Sequence, residues 1–68
     1  MITPRIGEIW KNNEEDGDMY MVTSEPYLTD KWNNRDKQWV VKIRNLRKGW
    51  ETDWRTACWY PHIWEKIG

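Results

Sequence analysis

The sequence predicts a small all-β domain, and three observations support this fold class. Among the 68 residues Ala occurs once and Leu twice, whereas Trp occurs seven times, and Val, Ile and Thr are common, so strand formers outnumber helix formers. Apolar and polar residues alternate along several short segments, which is the period of a strand with one buried face. Polar turns that contain glycine separate these segments. A chain of this length forms one domain, which we assign to residues 1–68.

The second half of the chain contains the two clearest predicted strands, over residues 38–45 and 50–58. The linker between them, 46–49, is short and ends in glycine, so the two strands are predicted to form an antiparallel hairpin. The first strand alternates between an inward set, Trp39, Val41 and Ile43, and an outward set, Val40, Lys42 and Arg44. The inward residues of the second strand are Trp50, Thr52, Trp54, Thr56 and Cys58.

The inward residues of this hairpin are predicted to form the centre of the core. Truncation of a buried Trp typically costs about 3–5 kcal/mol, which is the whole net stability of many domains of this size. Trp39→Ala and Trp54→Ala are therefore predicted to unfold the protein. Lys42→Ala, a surface change, is expected to cost less than about 0.5 kcal/mol.

Two weaker strands are predicted in the first half, over residues 8–12 and 18–24, with a polar turn at 13–17 between them. The stretch 24–37 is rich in polar residues and contains a proline, so it is predicted to be a long loop. Two aromatic residues are candidate anchors of this loop: Tyr27 and Trp32.

The C-terminal segment is predicted to return to the start of the chain. One helical turn is expected after Pro61, and residues 63–67 then form a short strand that pairs back near Ile6. A single helix near the C-terminus, packed on the sheet, is the alternative fold.

Five short strands in this order fit a small, strongly bent antiparallel barrel. The opening Gly7-Glu8-Ile9-Trp10, the long loop after the second strand, the hairpin at Lys48-Gly49 and the turn at Pro61 resemble the SH3-like barrels, including Tudor-like and KOW-like domains. The resemblance implies a five-stranded barrel with one short helical turn near the C-terminus. In size and Trp content the chain also looks like small accessory proteins of bacteriophages.

The composition excludes several classes of protein. The 11 basic and 11 acidic residues balance, and no apolar segment reaches the ~20 residues of a membrane-spanning helix. The single cysteine, Cys58, allows neither an internal disulfide nor a Cys-rich zinc site, so a reducing compartment is expected. No secretory signal is evident. We therefore expect a cytoplasmic protein, in the host cytoplasm if a phage encodes it, with no membrane partner.

Catalysis is not expected from this sequence. It contains no phosphate-binding loop, dinucleotide fingerprint or hydrolase nucleophile motif. Cys58 and His62 stand four residues apart with a proline between them and no orienting acid, so a buried thiol and a surface histidine are the simpler interpretation. We expect no catalytic residues, metal site, cofactor or small-molecule substrate.

Seven Trp residues exceed what so small a core can hold, so some are predicted to be exposed. Trp10, Trp32, Trp59 and Trp64 do not fit the inward alternation and are the candidates. Exposed Trp is typical of binding hot spots, and SH3-like barrels bind extended or proline-rich peptides in an aromatic groove. The sequence thus favours a non-enzymatic module that binds a protein, of the kind with which a phage accessory protein modulates or inhibits a host protein. The predicted contact residues are Trp10, Trp32, Trp59, Arg44 and Arg47.

A KOW-like nucleic-acid-binding domain is the alternative function. Residues 1–34 carry three basic and seven acidic groups, a balance of −4, whereas residues 35–68 carry eight basic and four acidic groups, a balance of +4. A basic face combined with exposed Trp binds phosphates and stacks on bases. Glu51 and Asp53 on the neighbouring strand could instead neutralise this face. The candidate nucleic-acid contacts are Lys42, Arg44, Arg47, Lys48 and Arg55.

Overall fold

The computed structural model describes residues 3–30 and 37–68, and in this part of the chain all regular structure is β apart from a single 3-10 turn. Six strands form one antiparallel sheet, so the predicted all-β class is confirmed. The 3-10 turn, Thr56–Cys58, stands between the last two strands and before Pro61. A hydrogen-bonded turn also lies at residues 61–63, where the sequence predicted one, and there the N–H groups of Ile63 and Trp64 both donate to the Tyr60 carbonyl. The strands are β1 (Ile9–Asn12), β2 (Met19–Val22), β3 (Tyr27–Thr29), β4 (Gln38–Asn45), β5 (Glu51–Arg55) and β6 (Trp64–Lys66).

The long strand β4 organises the sheet, because three other strands pair with it. β5 pairs with β4 as the predicted hairpin, with Val41 opposite Trp54. β2 pairs with the C-terminal end of β4, where Val22 lies opposite Ile43, and β3 pairs with its N-terminal end. The prediction of a continuous loop over residues 24–37 is therefore wrong for β3, a strand too short to show a period of its own.

The chain returns to its first strand as predicted, because β6 pairs antiparallel with β1. The pairing lies at residues 10–12, with Trp64 opposite Asn12, and not near Ile6. The order across the sheet is β5-β4-β2-β1-β6. β3 pairs with β4 on the same side as β2, beside the other end of β4. In the described part of the chain no backbone hydrogen bond joins β5 to β6, so the sheet is not closed by hydrogen bonding. Side chains join its two ends instead, where the rings of Trp54 and Trp64 meet edge to face at 5.2 Å.

The core is built on tryptophan, but not on the Trp residues that the alternation indicated. Trp59 and Trp64 stack in parallel with 4.1 Å between ring centroids, and Trp10 meets Trp59 edge to face. All three were candidates for exposure in the sequence, and each of them is buried. Strand β5 ends at Arg55, and the 3-10 turn then redirects the chain so that Trp59 enters the core. The buried apolar cluster comprises Trp10, Tyr20, Val22, Val41, Ile43, Trp59 and Trp64.

Trp39 and Trp50 lie on the predicted faces but are largely exposed, at 53% and 43%. Trp39 pairs with Leu28 of β3, at the end of β4 that extends past the buried cluster. Trp50 stands before β5 and packs edge-on against Tyr20. The prediction that Trp39→Ala unfolds the protein is therefore withdrawn, because its side chain lies outside the core.

Val40 is fully buried, although the alternation placed it on the outward face. Its cross-strand partner is Tyr27, whose hydroxyl donates a 2.7 Å hydrogen bond to Asp53 Oδ1 on β5. The Tyr27 ring must cross β4 to reach β5, and this accounts for the burial of Val40. Burial, together with the hydrogen bond to Asp53, raises the pKa of Tyr27 to about 12.

The raised pKa of Tyr27 predicts that the protein loses stability at alkaline pH. In the unfolded chain Tyr27 ionises near its ordinary value of 10.0, so the unfolded state loses its proton first as the pH rises. The stabilisation is complete below pH 10 and is lost as the pH approaches 12. We expect the melting temperature of Tyr27→Phe to fall less steeply with pH over this interval than that of wild type. Tyr60→Phe, at an exposed position, should follow wild type; if Tyr27→Phe does the same, the assignment fails.

Candidate protein-binding surface

Two of the five predicted contact residues are buried in the core. Trp10 and Trp59 are each 3% exposed, and the indole N–H of Trp10 donates a 3.1 Å hydrogen bond to Glu8 Oε1. A partner could not reach either ring without opening the cluster. Trp32 lies outside the described residues.

The other two predicted contact residues, Arg44 and Arg47, are exposed on the hairpin but differ in their surroundings. Arg47 forms a two-pronged ion pair with the buried Asp18, in which Nε donates to Oδ1 at 2.7 Å and the terminal nitrogen donates to Oδ2 at 3.0 Å. The hydrogen bond from Arg47 lowers the pKa of Asp18, and Asp18 raises the pKa of Arg47 in return. This guanidinium ties the hairpin to the turn before β2, so it serves the fold.

Asn45 completes this network and explains the shape of the hairpin. Its Oδ1 accepts the backbone N–H groups of Arg47 and Lys48, and its Nδ2 donates to Asp18 Oδ2 at 3.0 Å. The backbone N–H of Gly49 returns to the Asn45 carbonyl at a φ of +82°, which glycine adopts without steric cost. The turn is thus fixed by one buried amide and one glycine.

The predicted basic face is interleaved with acids. The β4–β5 register places Lys42 opposite Asp53 and Arg44 opposite Glu51. Arg55 lies within 3.5 Å of Gln38 Oε1, while Lys48 is exposed at the tip of the hairpin. This arrangement favours neutralisation of the face over a continuous positive patch for phosphates.

A more distinctive feature lies at the N-terminal end of β4, where apolar side chains emerge from the core. Trp39 and its cross-strand neighbour Leu28, 49% exposed, stand side by side on the face that points toward the core. The Thr56 hydroxyl donates to the Trp39 carbonyl at 3.3 Å and holds the 3-10 turn against β4. We call Leu28, Trp39, Thr56, Ala57 and Cys58 the Trp39 surface.

The Trp39 surface is concave as well as apolar. A depression of ≈ 430 Å³ runs between the start of β4 and the 3-10 turn, with Trp39 on one side. Arg55 and Gln38 supply polar groups at its border. An apolar cleft with a few polar groups is the usual character of a recognition site. The residues that line it are Gln38, Trp39, Arg55, Thr56, Ala57 and Cys58.

The sequence assigned Trp39 to the core because its alternation with Val41 and Ile43 is regular. The sequence feature that could have predicted its exposure is the apolar run Trp39-Val40-Val41, which breaks the two-residue period at the start of the strand. When both faces of a strand are apolar at one point, something must cover each of them. Tyr27 covers the outward face, and among the described residues nothing buries Trp39 on the other.

The contacts of His62 are with residues other than Cys58. The His62 ring stacks on Tyr60 at 5.4 Å, and its Nε2 lies 3.9 Å from Glu14 Oε2. Across residues 3–30 and 37–68, no three His, Cys, Asp or Glu side chains come together as a metal-binding group. None of the helical structure in these ranges has the length and apolar character that crossing a bilayer requires.

Comparison of the chain with protein-family models, with curated proteins and with solved structures finds no match.

Proposed function

We propose that this protein is a non-enzymatic binding module that takes an extended apolar segment of a partner protein on the Trp39 surface. The observation that carries the proposal is the pairing of Trp39 and Leu28, both about half exposed, at the end of an otherwise well-packed core. Aromatic anchors of this kind dominate the energetics of protein interfaces.

The magnitude of the exposed area supports binding. Half of a Trp side chain is roughly 120 Å² of mainly apolar surface. Its removal from water would contribute about 3 kcal/mol at ~25 cal/mol/Å². Leu28 and Ala57 extend the same surface, and Arg55 and Gln38 offer hydrogen bonds at its edge. A short peptide with one aromatic or branched aliphatic anchor fits this chemistry.

We propose, in addition, that the sheet represents an SH3-like barrel. The chain order supports this, since the hairpin of β4 and β5 is followed by a single 3-10 turn and a short strand that pairs with β1. In such barrels an aromatic groove binds extended or proline-rich peptides. The Trp39 surface, which borders the 3-10 turn, would be that groove.

The test begins with a library of random peptides selected on the immobilised protein. The enriched peptides are then titrated against wild type, Trp39→Ala and Trp50→Ala. We expect Trp39→Ala to weaken binding by at least about 2 kcal/mol, roughly thirtyfold, because the anchor contact is lost. Trp50→Ala, at a similarly exposed Trp beside Tyr20, should bind like wild type.

Two results would contradict the proposal: no enrichment of any peptide, or equal binding by the two variants. A labelled oligonucleotide titrated at increasing salt tests the nucleic-acid alternative in the same experiment. Phosphate-driven binding would fall with a slope near −0.9 per neutralised phosphate on duplex DNA. We expect no such binding, because acids stand opposite Lys42 and Arg44.

A further inference from the structure

The charges on the two strands of the β4–β5 hairpin are paired across the strands, with one exception. Both bases of β4, Lys42 and Arg44, lie opposite acids of β5. The base of β5, Arg55, lies opposite Val40 instead. Opposite charges that face each other across two strands stabilise one another, so Arg55 is the base whose cross-strand partner leaves its charge uncompensated.

The fold supplies Arg55 with no other counter-charge. Within residues 3–30 and 37–68, no carboxylate lies within ion-pair distance of its guanidinium. Its Nη1 lies 3.5 Å from Gln38 Oε1, which is long for a hydrogen bond and leads to a neutral amide. The nearest acid on the same strand, Asp53, lies opposite Lys42 and accepts a hydrogen bond from the Tyr27 hydroxyl. The positive charge of Arg55 is therefore available to a partner.

This charge stands at the border of the Trp39 surface. Arg55 leaves β5 on the outward face, but its contact with Gln38 places the guanidinium at the start of β4, and Arg55 lines the depression together with Trp39. Among the described residues the other base at this end of β4 is Lys37. The β3–β4 register, continued by one residue, places Asp30 across from Lys37. The rim of the surface is thus positive at Arg55.

We infer that the partner segment on the Trp39 surface carries an acidic side chain beside its apolar anchor, and that Arg55 binds this carboxylate. This selectivity rests on the function proposed above, because it concerns a segment held at the same surface. A guanidinium can bind a carboxylate through two parallel N–H···O hydrogen bonds, which adds geometric specificity to the attraction. Trp39 and Arg55 belong to neighbouring strands, ~5 Å apart, and an extended chain advances ~3.3 Å per residue. The acid is therefore expected within about three residues of the anchor.

The two contacts have different effects on binding. The anchor on Trp39 supplies most of the affinity, because burial of an aromatic surface dominates interface energetics. An ion pair at an exposed border strengthens binding by only about two- to fivefold. Its main effects are on the choice of partner and on the rate of association. Arg55 would favour apolar segments that carry an acid and repel those that carry a base at the same place.

The test uses the peptides enriched on the immobilised protein, synthesised with amidated C-termini so that every carboxylate belongs to a side chain. Replacement of the acid near the anchor by its amide should weaken binding to wild type by about three- to fivefold at low salt. Arg55→Gln should weaken binding of the original peptide by the same factor. Arg44→Gln is the matched control, since it removes the same charge from the other end of β4, and it should bind like wild type.

An exchange of charges tests the contact itself. Arg55→Glu should weaken binding of the acidic peptide more than Arg55→Gln does, because like charges then meet. A peptide with Lys in place of the acid should bind Arg55→Glu more tightly than it binds wild type. Circular dichroism would verify that the variants are folded, and the acid-to-amide peptide tests the contact on wild type alone.

The outcomes separate this inference from the proposed function. Peptides that depend on Trp39 but carry no acid near the anchor, or that respond equally to Arg55→Gln and Arg44→Gln, overturn the inference and leave the proposed function standing. Failure of the charge exchange does the same. If no peptide is enriched, or if Trp39→Ala binds like wild type, both are overturned. An oligonucleotide that binds wild type and loses affinity for Arg55→Gln also overturns the inference, because the guanidinium then serves a phosphate.

Discussion

Trp64→Ala is expected to leave the protein unfolded at 37 °C. Trp64 is 1% exposed and is the hub of the aromatic cluster, with Trp59 stacked on it and Tyr20 and Trp54 edge-on. Its ring also joins the two ends of a sheet that hydrogen bonds leave open. Loss of a buried Trp side chain costs about 3–5 kcal/mol, and a domain of this size holds only about that much net stability.

Trp39→Ala is the matched control, because it removes the same side chain from a position that is 53% exposed. We expect it to cost less than about 1 kcal/mol and to shift the melting temperature by only a few degrees. Urea denaturation followed by circular dichroism would measure both variants. A cooperative transition for Trp64→Ala close to that of wild type would show that the cluster does not hold the sheet together.

Asn45→Ala is expected to have the second largest effect, about 2–3 kcal/mol, because it removes a buried amide that makes three hydrogen bonds. Its loss leaves two backbone N–H groups of the hairpin without their acceptor and takes one donor from the buried Asp18. Each buried group left unsatisfied costs about 1–3 kcal/mol, and water at the tip of the turn offsets part of this.

The control for Asn45 is Asn13→Ala. The Asn13 amide is exposed and makes one 3.2 Å hydrogen bond to Glu65, so its loss should cost less than about 0.5 kcal/mol. Chemical denaturation of the two variants side by side gives the difference in unfolding free energy. Equal losses of unfolding free energy in the two variants would mean that water replaces the hydrogen bonds of Asn45 at no cost in stability.

The sequence alone determined the elements whose cause is local. β4 begins and ends where predicted, since its alternation is long and a glycine-containing turn follows it. The hairpin with β5 and the return of the last strand to β1 are confirmed for the same reason. β3 was missed because three residues are too few to show a period, and β4 supplies their hydrogen bonds from a distance in sequence.

The candidate site was much less predictable than the fold. Surplus Trp indicated that some rings must be exposed, and that is confirmed, but Trp10 and Trp59 are buried while Trp39 and Trp50 are exposed. All four have the same affinity for an apolar environment, so their own chemistry cannot rank them. Their burial depends on where the bent sheet encloses volume.

Only the tertiary structure decided which side chains the enclosed volume receives. The 3-10 turn brings Trp59 onto Trp64, and Tyr27 crosses β4 to cover Val40, so each burial depends on a residue far away in sequence. Arg47, predicted to contact a partner, is held by Asp18 for the same reason. Alternation reports the direction in which a side chain points from its strand. Whether anything stands there to cover it is a property of the assembled sheet.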